Sequence, residues 1–248
     1  MRVATYNIHA GVGTDGRHDI ERICTVIEEI GADVLALQEV ELHDAEHGAI
    51  ALLSQRYYEI GSSPVFTKRG HPYGNLLLSR FPISHIRHLS LCVMGCEPRG
   101  AVDVDLDAPG GLRVIATHLG LSPGERRDQV RRLLRACKEP QVSAGLTVLL
   151  GDLNEWLMWG RPLRWLHRHF GETPGYRTFP TFYPLLALDR IWVAPRSALI
   201  ASWVHSTRTA RRASDHLPLV ADLLLPDLTT DAAPEAAGRS SRPPSRLR

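Results

Sequence analysis

The sequence predicts a layered α/β fold, and three observations lead there. Apolar runs such as Leu146–Leu150 read as strands buried on both faces, the kind found in sheets covered by other layers. A strand–helix–strand unit occurs twice along the chain. Every strand of the two units closes on residues able to bind a metal or move a proton, and layered α/β folds collect ligand sites at one common end of their strands.

The elements follow in order. "RVATYN" (2–7) reads as a strand ending in Asn7. "HDIERICTVIEEI" places Ile20, Ile23, Val26, Ile27 and Ile30 at helical spacing, and "ADVLALQEVE" (32–41) is the second strand, carrying Glu39. The second copy opens with "RVIATHL" (113–119), which contains His118. Its helix, "SPGERRDQVRRLLRAC", has Pro123 suited to a first turn and Val130, Leu133 and Leu134 on one face. "LTVLLGDLNE" (146–155) completes it with Asp152 and Asn154. Asp and Asn are ordinary turn residues, but a turn does not explain why all four strands end in such groups. "LALDRIWV" (186–193) sets Asp189 inside an apolar strand, where a carboxylate needs a partner. "ASDHLPLVADLLL" (213–225) puts Asp215 and His216 just before another buried strand. Asp189 beside His216 would orient the imidazole and stabilise its cation. Singly, each reads as a capped turn or a satisfied core Asp; together they argue for a site.

Composition sets the bounds. Hydrophobic content of 44% and charged content of 23% are those of an ordinary globular protein. No run reaches the roughly 18–20 apolar residues of a membrane span. "MRVATYNIHAG" lacks a secretory h-region, so the expected compartment is the cytoplasm. Cys24, Cys92, Cys96 and Cys137 are scattered without zinc spacing and are expected as reduced, mostly buried thiols. From Thr229 the text turns to Pro, Ala, Ser and Arg without periodicity, so one domain over 1–228 and a disordered tail over 229–248 are expected. The tail holds the whole formal excess of +2, leaving 25 basic and 25 acidic side chains in residues 1–228. Such a body does not advertise a polyanion-binding surface.

"TYNIH", "LQEVE", "THLGL", "GDLNEW", "LDRIWV" and "SDHLPL", in this order, resemble the motifs of the endonuclease/exonuclease/phosphatase superfamily, over roughly residues 1–225. The resemblance implies the deoxyribonuclease-I-like fold, a four-layer α/β sandwich of two packed mixed β-sheets flanked by helices. It implies Glu39 as principal Mg²⁺ ligand, with Asn7 in its first or second shell and Asp215 on the metal side. Asp152 would orient or deprotonate the attacking water, and Asn154 would hydrogen-bond the phosphate. His216, held by Asp189, would stabilise the pentacovalent phosphate or assist proton transfer, and His118 would contact phosphate or protonate the leaving oxygen. "YGNLLLSRFPI" (73–83) resembles the family's third conserved strand, with Asn75 facing substrate or merely capping the strand start. "CEPRGAV" (96–102) places Arg99 where members often hold a phosphate-binding Arg, a solvated Arg being the alternative. The implied chemistry is phosphodiester hydrolysis by a monomer with Mg²⁺, or Mn²⁺ in its place.

Substrate class is read from two further stretches. Arg208, Arg211 and Arg212 precede Asp215 and would attract a phosphate-bearing molecule. "RPLRWLHRHF" reads as an amphipathic helix packing Leu163, Leu166 and Phe170 inward. "EWLMWG", with Trp156 and Trp159, directly follows the catalytic strand and forms an apolar lip for an acyl chain, a lipid interface or a stacked base. The expected partner is therefore a lipid-like or small phosphodiester, with no transmembrane segment but peripheral membrane contact; a DNA or RNA nuclease with the same site is the alternative. A catalytically silent binding module is disfavoured because the metal, water-orienting and imidazole positions are all filled.

Overall fold

The computed structural model describes residues 1–41, 59–68, 71–138 and 145–225, with side chains described outside 59–68 and 71. The proposed tail from Thr229 and the domain boundary at 228 lie outside the described residues. The elements are β1 (Arg2–Asn7), α1 (Ile20–Ile30), β2 (Val34–Glu41), β3 (Glu59–Lys68), β4 (His71–Ser79), β5 (Ile83–Ser90), β6 (Gly100–Leu106) and β7 (Leu112–His118). There follow α2 (Pro123–Ala136), β8 (Leu146–Asp152), α3 (Arg161–Phe170), β9 (Asp189–Ala194), β10 (Leu199–Val204), α4 (Ala210–Ala213) and β11 (Leu219–Leu223).

Local chemistry starts the helices where the sequence says. Asp19 accepts from Arg22 N to cap α1, and Gly31, at φ 59°, ends it. Ser122 and Glu125 cap α2 reciprocally, with Pro123 in its first turn. On α3, Leu163, Leu166 and Phe170 are buried as expected.

Two sheets result, one of six strands in the order β10-β11-β1-β2-β4-β3 and one of five in the order β5-β6-β7-β8-β9. Both are mixed: β1–β2 and β7–β8 are parallel, as a helical crossover demands, and their neighbours are antiparallel. The repeat in the sequence is thus one parallel pair per sheet. Alternate residues of each strand, among them Val3, Val34 and Ala36 facing Val114, Val148 and Leu150, pack between the sheets. Their neighbours Ala4, Leu35 and Leu37 pack under α1, and Ile115, Leu149 and Trp192 pack under α2 and α3. This is the four-layer α/β sandwich of the deoxyribonuclease-I-like fold. Among the described residues no helix is long and apolar enough to cross a membrane.

Two expectations need correction. The strand expected over 186–193 begins only at Asp189, because Leu186 is taken by an isolated bridge to Phe179. The cysteines are free, but Cys92 is exposed and the other three are half-buried, since none lies in an inward-facing strand row.

The inter-sheet rows also locate the site. At one end of the sandwich the apolar pattern changes along each inner row: Val3, then Thr5, then Asn7; Ala36, then Gln38; Ala116, then His118; Leu150, then Asp152. Parallel pairing sets His118 opposite Asp152, and antiparallel pairing starts β9 at the same level with Asp189 opposite Asp152.

Candidate active site

Strand alternation alone would aim Glu39 at the outer face with Leu35 and Leu37. The β2–β4 register shifts between Leu37 and Val40, and Glu39 takes φ 59°. This bulge turns its carboxylate inward while Val40 returns to the outer row. There Glu39 Oε1 accepts from Asn7 Nδ2 at 3.1 Å and Oε2 from Tyr73 OH at 2.8 Å. Burial opposes its charge, yet the nearby His118 and the bonds from Tyr73 and Asn7 hold its pKa below the usual carboxylate value. The second hydrogen of Asn7 Nδ2 reaches Asp152 Oδ2 at 3.1 Å, so one amide ties the two sheets' carboxylates together. Asn7 Oδ1 is held by His9 N at 3.0 Å.

Asp152 ends β8 after Gly151, whose φ is +142° and where a Cβ would strike the Thr117 carbonyl. That close approach brings β8 against β7 at the level of His118. Asp152 Oδ1 accepts from Asn154 N at 2.8 Å, which helps hold Asn154 at φ 49°. Its Oδ2 stands 3.6 Å from both His118 Nε2 and His216 Nε2. Of the positive-φ non-glycine residues, His9, Glu39 and Asn154 bond to Asn7 or Asp152 here, and such strain costs on the order of 1–3 kcal/mol each.

The two imidazoles differ in charge. His216 Nδ1 donates to Asp189 Oδ2 at 2.8 Å. Burial would lower its pKa, but the charges of Asp189 and Asp152 outweigh that and raise it to about 10, so it is a cation at neutral pH. The Phe179 ring covers it, 4.8 Å between centroids. His118, equally buried, is driven the other way to about 4, first by burial and then by the Arg99 charge, against the pull of Asp152 and Glu39. Its ring nitrogens face Asn154 Nδ2 at 3.0 Å and Arg99 Nη1 at 3.4 Å, both of them donors. A neutral imidazole has one accepting nitrogen, so one of those N–H groups is poised for another acceptor, such as a phosphate oxygen.

Arg99, nearly buried, shares Nη1 with Glu97 at 3.0 Å and lines a small cleft with Glu39, Tyr73, Asn75 and His118. Asn75 also lines this cleft, but its Nδ2 is committed to the Gly100 carbonyl at 3.0 Å, where it links β4 to β6 across the sheets. Asp215 lies at the open side, its Oδ1 3.8 Å from His9 Nδ1. Ser214 joins it to the rest: the hydroxyl donates to Asn7 O at 2.7 Å and lies 3.4 Å from Asp215 Oδ1.

The structure thus gathers Asn7, Glu39, Asn75, Arg99, His118, Asp152, Asn154, Asp189, Asp215 and His216 at one end of the sandwich. Sequence reasoning missed Tyr73, though it opens the "YGNLLL" segment, and missed His9 and Ser214 beside motif residues. It also missed a buried polar face on α2. Arg126 pairs with Glu155, donates to the carbonyls of Gly120 and Leu121, and sits one turn before Gln129, which accepts from Gly120 N at 2.8 Å. These side chains fasten the loop after His118 to the loop after Asp152.

The donor chemistry fits a hard divalent cation: two carboxylates, Glu39 and Asp215, flank the Asn7 terminus of β1. Asp152, Asp189 and His216 also place ligand-type atoms within 4.8 Å of one another, with the 2.8 Å His216–Asp189 hydrogen bond inside that trio.

Two packed mixed sheets with these groups at one end define a class, the metal-dependent hydrolases of phosphoester bonds. The family model for the endonuclease/exonuclease/phosphatase family matches residues 4–216, and the chain belongs to that family. The uncharacterized protein YbhP of Escherichia coli K12 is 34% identical over 249 aligned residues, covering 91% of this chain and 96% of that protein. An endonuclease/exonuclease/phosphatase from Beutenbergia cavernae superposes with a TM-score of 0.72 at 27% identity, over 91% of this chain and 71% of that one. The human Nocturnin catalytic domain, solved with a bound sulfate anion, shares the fold with a TM-score of 0.67 at 22% identity, over 89% and 92% of the two chains.

Proposed function

We propose that residues 1–228 form a Mg²⁺-dependent phosphodiesterase that cleaves its substrate by in-line attack of an activated water, the substrate being a lipid-like or small phosphodiester. The observation that carries this reading is the position of Asp152. Its Oδ2 lies between a neutral and a cationic imidazole, and Asn7 links it to Glu39. Glu39, with Asn7 and Asp215 beside it, would hold Mg²⁺, or Mn²⁺ in its place, which supplies Lewis-acid polarisation of a phosphoryl oxygen. Asp152 takes the proton of the attacking water. The His216 cation, fixed by Asp189, faces the negative charge that develops on the phosphoryl group and passes its Nε2 proton to the leaving oxygen as the bond from phosphorus to that oxygen breaks. Asn75 shapes the cleft wall. His118, neutral at pH 7, accepts from one of Asn154 Nδ2 and Arg99 Nη1 and leaves the other to donate to a phosphoryl oxygen.

The test is hydrolysis of bis(p-nitrophenyl) phosphate by the full chain, abolished by chelator and restored by Mg²⁺ or Mn²⁺. A panel of plasmid, single-stranded DNA, RNA, sphingomyelin and phosphoinositides then sets the substrate class. Turnover that ignores chelator overturns the metal assignment. A preference for nucleic acid over every lipid moves the protein to the nucleases of the family.

A further inference from the structure

The exposed apolar side chains are distributed unevenly. Strands β7 and β8 run toward the site, while β6 and β9 run away from it. The connections β5–β6, β7–α2 and β8–α3 and the segment entering β9 therefore all lie at the site end of the sandwich. Met94 is in the first of these, Leu121 in the second, the Trp156–Trp159 stretch in the third, and Phe182, Tyr183 and Leu185 in the last. Nine of the twelve exposed large hydrophobic residues among those described are these, so the apolar surface is concentrated around the mouth of the site. The exposure is extensive: 99% for Met94, 72% for Leu121, 74% for Trp159 and 80% for Phe182.

These side chains stand on anchored backbone. Arg126 holds the Leu121 carbonyl, and Glu155 accepts from Leu157 N at 3.1 Å. Thr181 N donates to Asp215 O at 2.8 Å beside Phe182. Basic residues border the apolar ones. Arg161 opens α3 directly after the Trp159 loop, Arg211 reaches the Thr181 carbonyl, and Arg208 lies one turn before it. All three are exposed and make no ion pair among the described residues.

We infer that this end face docks on an anionic lipid bilayer, so that the site meets its phosphodiester in the headgroup layer. Trp and Tyr favour the depth of the headgroups, Leu, Met and Phe reach the acyl boundary, and Arg draws anionic lipid. A nucleic-acid platform would instead combine stacking rings with a basic groove, whereas this face intersperses aliphatic tips on a body of zero formal charge. The choice of a lipid phosphodiester as substrate rests on the phosphodiesterase reading; the docking does not.

The experiment is sedimentation of the full chain with vesicles of phosphatidylcholine, alone or with one-third phosphatidylglycerol. Wild type is expected to partition onto both and more strongly onto the anionic ones. Leu121→Ser with Phe182→Ser should weaken partitioning about tenfold or more, with melting temperature and bis(p-nitrophenyl) phosphate turnover unchanged. Arg161→Glu with Arg208→Glu should erase the preference for anionic vesicles. If the Ser pair melts lower, Met94→Ser takes its place. Absence of sedimentation with either vesicle, equal binding by wild type and all variants, or binding of single-stranded oligonucleotide in place of vesicles overturns the inference. Docking without aryl phosphodiester turnover would sink the catalytic reading and leave docking standing; turnover without docking would do the reverse.

Discussion

Arg126 and Glu155 form a buried ion pair, Nε to Oε2 at 3.2 Å, with 0% and 2% of each residue exposed. The pair joins α2 to the loop that carries Asn154, and through the Gly120 and Leu121 carbonyls to the loop after His118. Two strand ends that face each other across one sheet are thereby held at a fixed spacing. Removing one partner leaves the other charge buried, at a cost of about 3–5 kcal/mol. Glu155→Gln keeps the shape and an acceptor for Leu157 N but loses the ion pair. The expected result is a lower melting temperature together with a fall in kcat that exceeds any change in KM. Unchanged melting and turnover would show the pair to be idle.

In the proposed reading the Glu39 carboxylate is the group on which metal binding turns. Glu39→Gln should leave the fold intact, because Asn7 can still donate to the amide oxygen while the Tyr73 hydroxyl accepts from the amide nitrogen, and it should cut turnover by orders of magnitude. Tyr73→Phe removes one hydrogen bond to a charged acceptor, about 1.5–3 kcal/mol. It should raise the Mg²⁺ concentration needed for half activity by roughly 10- to 100-fold. Both are read from turnover against Mg²⁺ concentration; near-native curves for Glu39→Gln would place the metal elsewhere.

What could be read from sequence follows from strand and helix periodicity. The paired strand–helix–strand units, the ends at Asn7, His118 and Asp152, and the Asp189–His216 pair are all periodic or terminal features, and all appear in the structure. The inward turn of Glu39 was not derivable from periodicity, because alternation sends it outward and the bulge exists only in pairing with β4. The family motif pointed to Glu39 all the same; its geometry came from the pairing. Arg126 was invisible for another reason: α2 carries Arg126, Arg127, Arg131, Arg132 and Arg135, and nothing local marks the buried one. The premature strand at Leu186 came from reading an apolar run as one element, whereas Leu186 closes a loop onto Phe179.

Outside the site, Asp103 gives a prediction about acid stability. It is fully buried and accepts from Arg87 at 3.1 and 2.9 Å and from Arg113 at 2.8 and 2.6 Å. Burial raises its pKa, but the bonds to Arg113 and Arg87 win and lower it. A carboxylate with a depressed folded pKa contributes stability that is present above its unfolded value, near about 3.9, and lost as pH falls through the folded one. Melting temperature should therefore drop below about pH 4 in the wild type. Asp103→Asn should melt lower at pH 7 and show a shallower acid limb. Parallel acid limbs would assign the loss to other carboxylates.

In the proposed mechanism His216 and Asp189 act as one unit, because neither has its property alone. His216 stays charged at pH 7 only because Asp189 and Asp152 outweigh the cost of burying it. Asp189, fully buried, has one oxygen on His216 and another without a hydrogen-bond partner among the described residues. Asp189→Ala should therefore leave a neutral imidazole, free to turn away from Asp152. His216→Ala should leave a buried carboxylate with no cation to face the phosphoryl charge. Each single variant should lose kcat by a large factor, and the double variant should be little worse than either, as for groups that act together. A melt of all three must accompany the assay, since Asp189→Ala also removes a buried charge and is expected to fold, while His216→Ala strands one and is expected to melt lower. Two losses that multiply in folded proteins would mean that Asp189 and His216 contribute independently, and the role assigned to the pair would fall.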